Sequence, residues 1–155
     1  MVKAYFLDSS ALVKRYVPES GSEWIRNITD INAGNLLIIA RITWVEVLSA
    51  LARRQREERL TRTDLNLVMQ QFQFDLNTQY HVIELDQLLI EQAGQAVTQF
   101  PLRAYDAIQL AAGLRIQSAF ASATATTFIF LTADAQLLAI AQSAGLTVEN
   151  PNDFS

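Results

Sequence analysis

Ala4-Tyr5-Phe6-Leu7-Asp8 is an apolar run that ends on a carboxylate, and residues 10–17 directly after it read as a helix. The same arrangement returns near the far end of the chain. There Phe128-Ile129-Phe130-Leu131-Thr132-Ala133 leads to Asp134 and a helix over 134–144. A short apolar run followed at once by a helix is the unit from which parallel sheets are built. The alternation continues between these two units, so the expected fold class is α/β with a largely parallel sheet.

Working outward, residues 3–8 form the first expected strand. Helices follow over 10–17 and 20–31, separated at Pro18, which lacks an N–H and clashes with the preceding turn. Leu36-Leu37-Ile38-Ile39-Ala40 is a short buried strand. Residues 42–58 read as a long helix with Ile42, Val45, Ser49 and Ala52 along one face. Thr63 reads as the N-cap of a helix over 64–78. A strand over 80–85, a helix over 87–99, an interruption at Pro101 and a helix over 104–118 come next. An Ala/Ser/Thr-rich loop, 118–127, leads to a strand over 128–132, the helix 134–144 stopped by Gly145, and a last strand over 146–149. No internal repeat or linker divides the 155 residues, which suit one domain, 1–155, with a real core.

Composition narrows the class. Half of the residues are hydrophobic and only five are Gly and three Pro, which excludes disorder and low complexity. There is no cysteine, so the fold needs no oxidising compartment. Met1-Val2-Lys3-Ala4-Tyr5 is interrupted by Asp8 too soon for a signal peptide. Apolar stretches such as Leu36 to Ala40 are far short of a membrane span. A soluble cytoplasmic protein without membrane attachment is expected. Twelve basic against 16 acidic residues give a formal charge of −4, which argues mildly against nucleic-acid binding driven by net charge. Local distribution decides more than the total, and Arg53-Arg54-Gln55-Arg56-Glu57-Glu58-Arg59-Leu60-Thr61-Arg62 holds five arginines against two glutamates. This segment reads as a solvated helix end with cations near its C-terminus, or as a patch for phosphates or a partner.

Four carboxylates stand out by position. Asp8 and Asp134 would lie just beyond the C-terminal ends of parallel strands, where open α/β sheets bind ligands at the reversal of strand order. Asp106 falls in the first turn of its helix, where free N–H groups favour negative charge. Glu46 falls one turn into helix 42–58, among Trp44, Val45, Val47 and Leu48. Taken singly, Asp8 and Asp134 are N-caps, Asp106 is a first-turn surface carboxylate, and Glu46 is half of a salt bridge to an arginine. Taken together, they are costly to fold around unless something positive joins them. With no cysteine and His81 as the only histidine, an active site here is an oxygen-ligand site for a hard divalent cation such as Mg²⁺ or Mn²⁺. His81 itself reads as a structural strand residue.

At these residues the chain resembles PIN-domain ribonucleases, particularly the VapC toxins of bacterial type II toxin–antitoxin systems. The matching segments are Tyr5-Phe6-Leu7-Asp8-Ser9-Ser10-Ala11-Leu12-Val13-Lys14 and Ile42-Thr43-Trp44-Val45-Glu46-Val47-Leu48-Ser49-Ala50-Leu51. Leu102-Arg103-Ala104-Tyr105-Asp106-Ala107-Ile108-Gln109-Leu110-Ala111 and Phe130-Leu131-Thr132-Ala133-Asp134-Ala135-Gln136-Leu137-Leu138 complete the match, which continues to Asn150-Pro151. Each motif is short, but their joint order and spacing are specific. The resemblance implies a three-layer α/β/α PIN-like domain with a central, mostly parallel sheet of about five strands. It implies an acidic catalytic site of Asp8, Glu46, Asp106 and Asp134, with Asp8, Asp106 and Asp134 as metal ligands and Thr132 helping to orient them. It further implies Mg²⁺-dependent (Mn²⁺ as substitute) endonucleolytic cleavage of RNA leaving a 5′-phosphate, a small cognate antitoxin, and a homodimer. Two features depart from the pattern: the loop Ser118–Thr127 is long, and Gly113 sits inside the helix that carries Asp106.

Two other classes are open on the residues alone. One is a silent or weakly active module that binds an antitoxin or RNA, against which the complete carboxylate set argues. The other is a phosphotransfer domain with Asp8 as nucleophile. That chemistry asks for a second acid two residues on and a lysine near the last strand. Position 10 is Ser and no lysine follows Lys14.

Overall fold

Alternate residues of a strand point to opposite faces of its sheet, and here that alternation splits the core in two. The computed structural model describes residues 2–123 and 125–155; Met1, and Thr124 within the expected loop 118–127, lie outside the described residues. The strands are β1 (Val2–Leu7), β2 (Leu36–Ala40), β3 (Tyr80–Ile83), β4 (Thr126–Leu131) and β5 (Val148–Glu149). They form one sheet in the order β3-β2-β1-β4-β5, with every pairing parallel. Parallel neighbours need crossover connections. These use α1 (Ser9–Tyr16), α2 (Ser22–Thr29), α3 (Thr43–Arg56), α4 (Arg62–Thr78), α5 (Gln87–Gln99), α6 (Ala104–Phe120) and α7 (Ala135–Ser143).

Ala4 and Phe6 of β1, Ile38 and Ala40 of β2 and Phe130 of β4 pack against α5, α6 and α7 through Leu89, Ala93, Leu110 and Leu137. Tyr5, Leu7, Leu37, Ile39, Ile129 and Leu131 face the other way, against α1 to α4 through Leu12, Ile25, Val47, Leu51 and Phe72. The result is the expected three-layer α/β/α arrangement, and burial on both faces explains why the strands read as continuous apolar runs. Among the described residues, no helix is long and apolar enough to cross a membrane.

Gly113 is explained by the same packing. A Cβ at this position would lie 2.6 Å from Cδ2 of Phe130. Phe130 has little room to withdraw, because its ring is fully buried and stacks on Phe6 at 5.2 Å. The glycine lowers helix propensity and in exchange lets α6 lie directly on the sheet.

Several boundaries move. Helix 20–31 stops at Thr29, where Asp30 caps a short 3-10 turn over Ile31–Ala33. Helix 104–118 runs on to Phe120, and strand 128–132 begins earlier, at Thr126. The final strand shrinks to Val148–Glu149, because Gly145 makes the turn at φ +100° and Leu146 is spent in the core. The N-cap of α4 is Thr61 rather than Thr63: its hydroxyl accepts the Asp64 N–H at 3.0 Å, which is the reach of a cap to the third helical residue. The face of α3 also differs from expectation. Thr43, Val47 and Leu51 are buried, while Val45 is 57% exposed and Ser49 is exposed. The bulky stripe that includes Trp44, whose ring lies tilted against Phe72 at 4.8 Å, wins the core. The smaller residues Val45 and Ser49 are left to line a cleft.

Candidate active site

Because β1 sits between β2 and β4, the chain reverses its direction of travel across the sheet beside β1. A crevice opens at such a point beyond the carboxyl ends of the strands. Leu7 and Leu131 are in register, and the Asp8 N–H continues the ladder by donating to the Leu131 carbonyl at 3.1 Å. Asp8 is thereby set next to the loop that carries Thr132 and Asp134.

Asp8 is the N-cap of α1. Its Oδ1 accepts the Ala11 N–H at 2.9 Å and the Ser10 hydroxyl at 2.7 Å. Ser10 Oγ in turn accepts the Ala133 N–H at 2.9 Å and lies 3.3 Å from Thr132 Oγ1, which accepts the Asp134 N–H at 3.1 Å. Asp134 caps α7, with Oδ1 accepting from the N–H groups of Gln136 and Leu137 at 2.9 and 3.0 Å. The N-cap reading is therefore correct for both aspartates. Both pairs of capping bonds fall on Oδ1, so Oδ2 takes no part in either cap, and the caps fix the direction of each carboxylate.

Glu46, in the first turn of α3, is held by neutral donors. The Ser9 hydroxyl donates to Oε2 at 3.1 Å and the Gln109 side-chain amide donates to Oε1 at 2.7 Å. Among the described residues no lysine or arginine pairs with Glu46, so the salt bridge considered for it does not form. Gln109 is buried, reaches Thr43 Oγ1 at 2.9 Å with the same nitrogen, and leaves its own Oε1 without a partner. Asp106, half-buried in the first turn of α6, has Arg103 Nε 3.6 Å away, on a side chain that is 86% exposed.

The electrostatics follow from this geometry. Burial pushes the Asp8 carboxyl up to about 6, against the opposing hydrogen bonds from Thr132, Ser10 and Ala11 and with a further push from Glu46. Glu46 is raised by burial, with Asp106 adding to it, despite the bonds from Gln109 and Ser9. Asp106 is raised by burial and by Asp134, with Arg103 opposing. Each carboxylate thus bears on the next. All four line one cleft of about 740 Å³. Among the described residues, no group of three or more Asp, Glu or His side chains is placed to hold a metal ion as it stands. Like charges without a counterion between them have no reason to converge.

Sequence reasoning named the four carboxylates and, through the resemblance, Thr132, which is fully buried at the end of β4. It missed the residues that hold them: Ser9, Ser10 and Gln109. Gln109 had a signal, being the single polar residue in Ala107-Ile108-Gln109-Leu110-Ala111. The serines had none beyond adjacency to Asp8. His81 lies exposed on β3, at the sheet edge away from the cleft.

Comparison with known proteins adds the following. The family model of the PIN domain matches residues 5–141. No curated protein matches the sequence. Among solved structures, the chain is similar to FitAcB from Neisseria gonorrhoeae, at 13% identity and a TM-score of 0.65 over 95% of this chain and 97% of that one. It is similar to VapC20 from Mycobacterium tuberculosis, described as a Sarcin-Ricin loop cleaving toxin, at 14% identity and a TM-score of 0.63 over 92% and 96%. A toxin–antitoxin complex from Klebsiella pneumoniae gives 17% identity and a TM-score of 0.60 over 95% and 97%. At these identities the likeness is one of fold.

Proposed function

The chain belongs to the PIN domain family, and on that premise we propose that it is a metal-dependent endoribonuclease, the toxin of a type II toxin–antitoxin pair. One observation carries this reading. Asp8, Glu46, Asp106 and Asp134 line one cleft, and three of them are held above their ordinary pKa, Asp106 even with the exposed Arg103 beside it and Asp8 and Glu46 with no ion pair among the described residues. Perturbed carboxylates concentrated in a cleft are the pattern that functional sites show, and here they coincide with the crevice at the strand ends.

The donor set fits Mg²⁺ or Mn²⁺, since it offers only oxygens and carries excess negative charge. Asp8 and Asp106 would hold the principal ion, Asp134 would serve its outer shell or a second ion, and Glu46 would bind directly or hold a water. Bound there, the ion supplies Lewis acidity that lowers the pKa of water and neutralises phosphate charge during hydrolysis of the phosphodiester. The protein supplies orientation. The caps at Ala11 and Leu137 aim Asp8 and Asp134, while Ser9 and Gln109 fix the Glu46 carboxylate. Such outer contacts are commonly worth 10- to 100-fold in affinity or activity.

A small antitoxin belongs to the same reading. One of the similar solved structures is described as a toxin–antitoxin complex, and a metal-free carboxylate cleft attracts an arginine, whose planar fork binds carboxylates bidentately. A homodimer is also part of it, with Leu67 and Phe74 of α4 exposed and able to bury apolar surface. The test is incubation of the purified chain with structured RNA in Mg²⁺ and in EDTA, with the product ends mapped. Cleavage only with the divalent ion, leaving 5′-phosphates, is expected. RNA binding without cleavage under any divalent ion would leave the second reading, a weakly active binding module, which is favoured by the lack of a ready-made metal cluster.

A further inference from the structure

The acidic cleft has a basic end. Its walls are α1 and α3, which pack side by side. Asp8 and Glu46 mark the beginnings of these helices, and Lys14 and Arg54 lie in their last turns. Lys14 is six residues from Asp8 and Arg53 is seven from Glu46, which at about 1.5 Å per residue puts the cations roughly 10 Å farther along the cleft. Lys14, Arg53, Arg54 and Arg56 line this end together with one carboxylate, Glu19.

Glu19 is shared. Lys14 Nζ reaches its Oε2 at 3.2 Å and Arg54 pairs with its Oε1. One carboxylate cannot neutralise two cations, and among the described residues Arg53 and Arg56 form no ion pair within 4 Å; the exposed Glu57, itself paired with Arg59, feels both only at longer range. Cations near helix C-termini are ordinary when solvated. Lys14 is not solvated: its side chain is 6% exposed, and burial, with Arg54 beside it, lowers its pKa. Buried ion pairs of this kind add little net stability. Between the two ends the cleft passes the small side chains of Ser49 and Ala50, leaving the path open.

We propose that Lys14, Arg53, Arg54 and Arg56 form a phosphate subsite for the single-stranded RNA backbone, with Glu19 as the clamp that holds Lys14 and Arg54 in place. The inference rests on the nuclease reading of the carboxylate end. The strand is cut over the carboxylates, and a neighbouring phosphate of the same strand is held at the basic end. The arginine-rich segment thereby divides: Arg53, Arg54 and Arg56 face the cleft, while Arg59 turns to Glu57.

The experiment measures binding of a fluorescein-labelled single-stranded RNA in Mg²⁺ by anisotropy, in the Asp106→Asn background so that the probe survives. The exposed pair Arg53→Ala/Arg56→Ala should weaken binding roughly tenfold at low salt. It should also flatten the slope of log affinity against log salt by about 1.4, the value for two lost phosphate contacts on a single strand. In the otherwise wild-type chain the same pair should raise KM far more than it lowers kcat. Lys14→Met, with its melting temperature followed as a control on folding, should act in the same direction. Unchanged affinity, slope and KM in the arginine pair would overturn the subsite. So would unchanged RNA affinity with loss of binding to an acidic protein partner, which would make this end a docking surface. If the wild type cuts RNA and the pair leaves its constants unchanged, the subsite fails and the nuclease reading stands. If the wild type does not cut but the pair still loses RNA affinity, the nuclease reading fails and the subsite stands.

Discussion

Asp8→Asn should make the metal-free protein more stable while removing its activity. Asn is as good an N-cap as Asp, and its Oδ1 can accept the same bonds from Ser10 and Ala11. What disappears is a buried charge whose carboxyl is pushed from 3.8 to about 6. At a pH above both values, that difference is worth about 3 kcal/mol against the wild-type fold. Between pH 4 and 6 the folded chain holds a proton that the unfolded chain has released, so wild-type stability falls as pH rises through this window. The gap between variant and wild type should therefore be near zero at pH 4 and open to about 1–3 kcal/mol at pH 7.5. For a chain of this size that is roughly 2–12 °C in Tm. Urea denaturation of both proteins in EDTA across this range is the assay, since carboxylates that do not interact with Asp8 are common to both and cancel, while Glu46, which does, changes with it and belongs to the measured gap. Added Mg²⁺ should then stabilise the wild type and leave the variant nearly unmoved. A variant less stable than wild type at pH 7.5 in EDTA would refute the claim that Asp8 is an uncompensated charge.

Gly113→Ala should destabilise the fold by about 1–3 kcal/mol in urea titrations despite alanine's better helix propensity, because the new methyl meets Phe130. A stabilised variant would mean that α6 is free to shift. Gln109→Leu keeps the volume but removes the donor to Glu46. We expect a loss of roughly tenfold or more in kcat, with the acidic limb of the pH–rate profile moved to higher pH because a hydrogen bond that lowers the Glu46 pKa is gone. An unmoved profile would assign Gln109 to packing alone. The antitoxin, co-purified with the chain, should abolish RNA cleavage in Mg²⁺, and replacing its inserted arginine with alanine should restore it; a bound partner that leaves cleavage intact removes the occlusion account.

The alternation of elements was readable because each strand is an apolar run bounded by a turn or cap, and helix 87–99 and strand 36–40 fall where the pattern put them. The placement of Asp8 and Asp134 was readable for the same reason, since strand ends in a parallel sheet share one edge. What escaped the sequence depends on partners distant along the chain. The outward face of α3 is decided by the bulk of Trp44 and Val47 against α4 and the sheet, not by the period of Val45 and Ser49. Gly113 has meaning only beside Phe130. Lys14 looked like one more helical lysine until Glu19 and Arg54 closed around it. Thr61 and Thr63 are equally plausible caps by type, and only the position of the first helical turn separates them.

The central claim is that the four carboxylates hold the divalent ion with which this chain cuts RNA. Its most direct test is calorimetric titration of Mn²⁺ into the purified chain and into Asp106→Asn, with RNA cleavage measured over the same concentrations. The account predicts saturable binding to the wild type, cleavage that rises with occupancy, and loss of both by tenfold or more in the variant. Full cleavage in EDTA, or cleavage by Asp106→Asn at the wild-type rate, would contradict it.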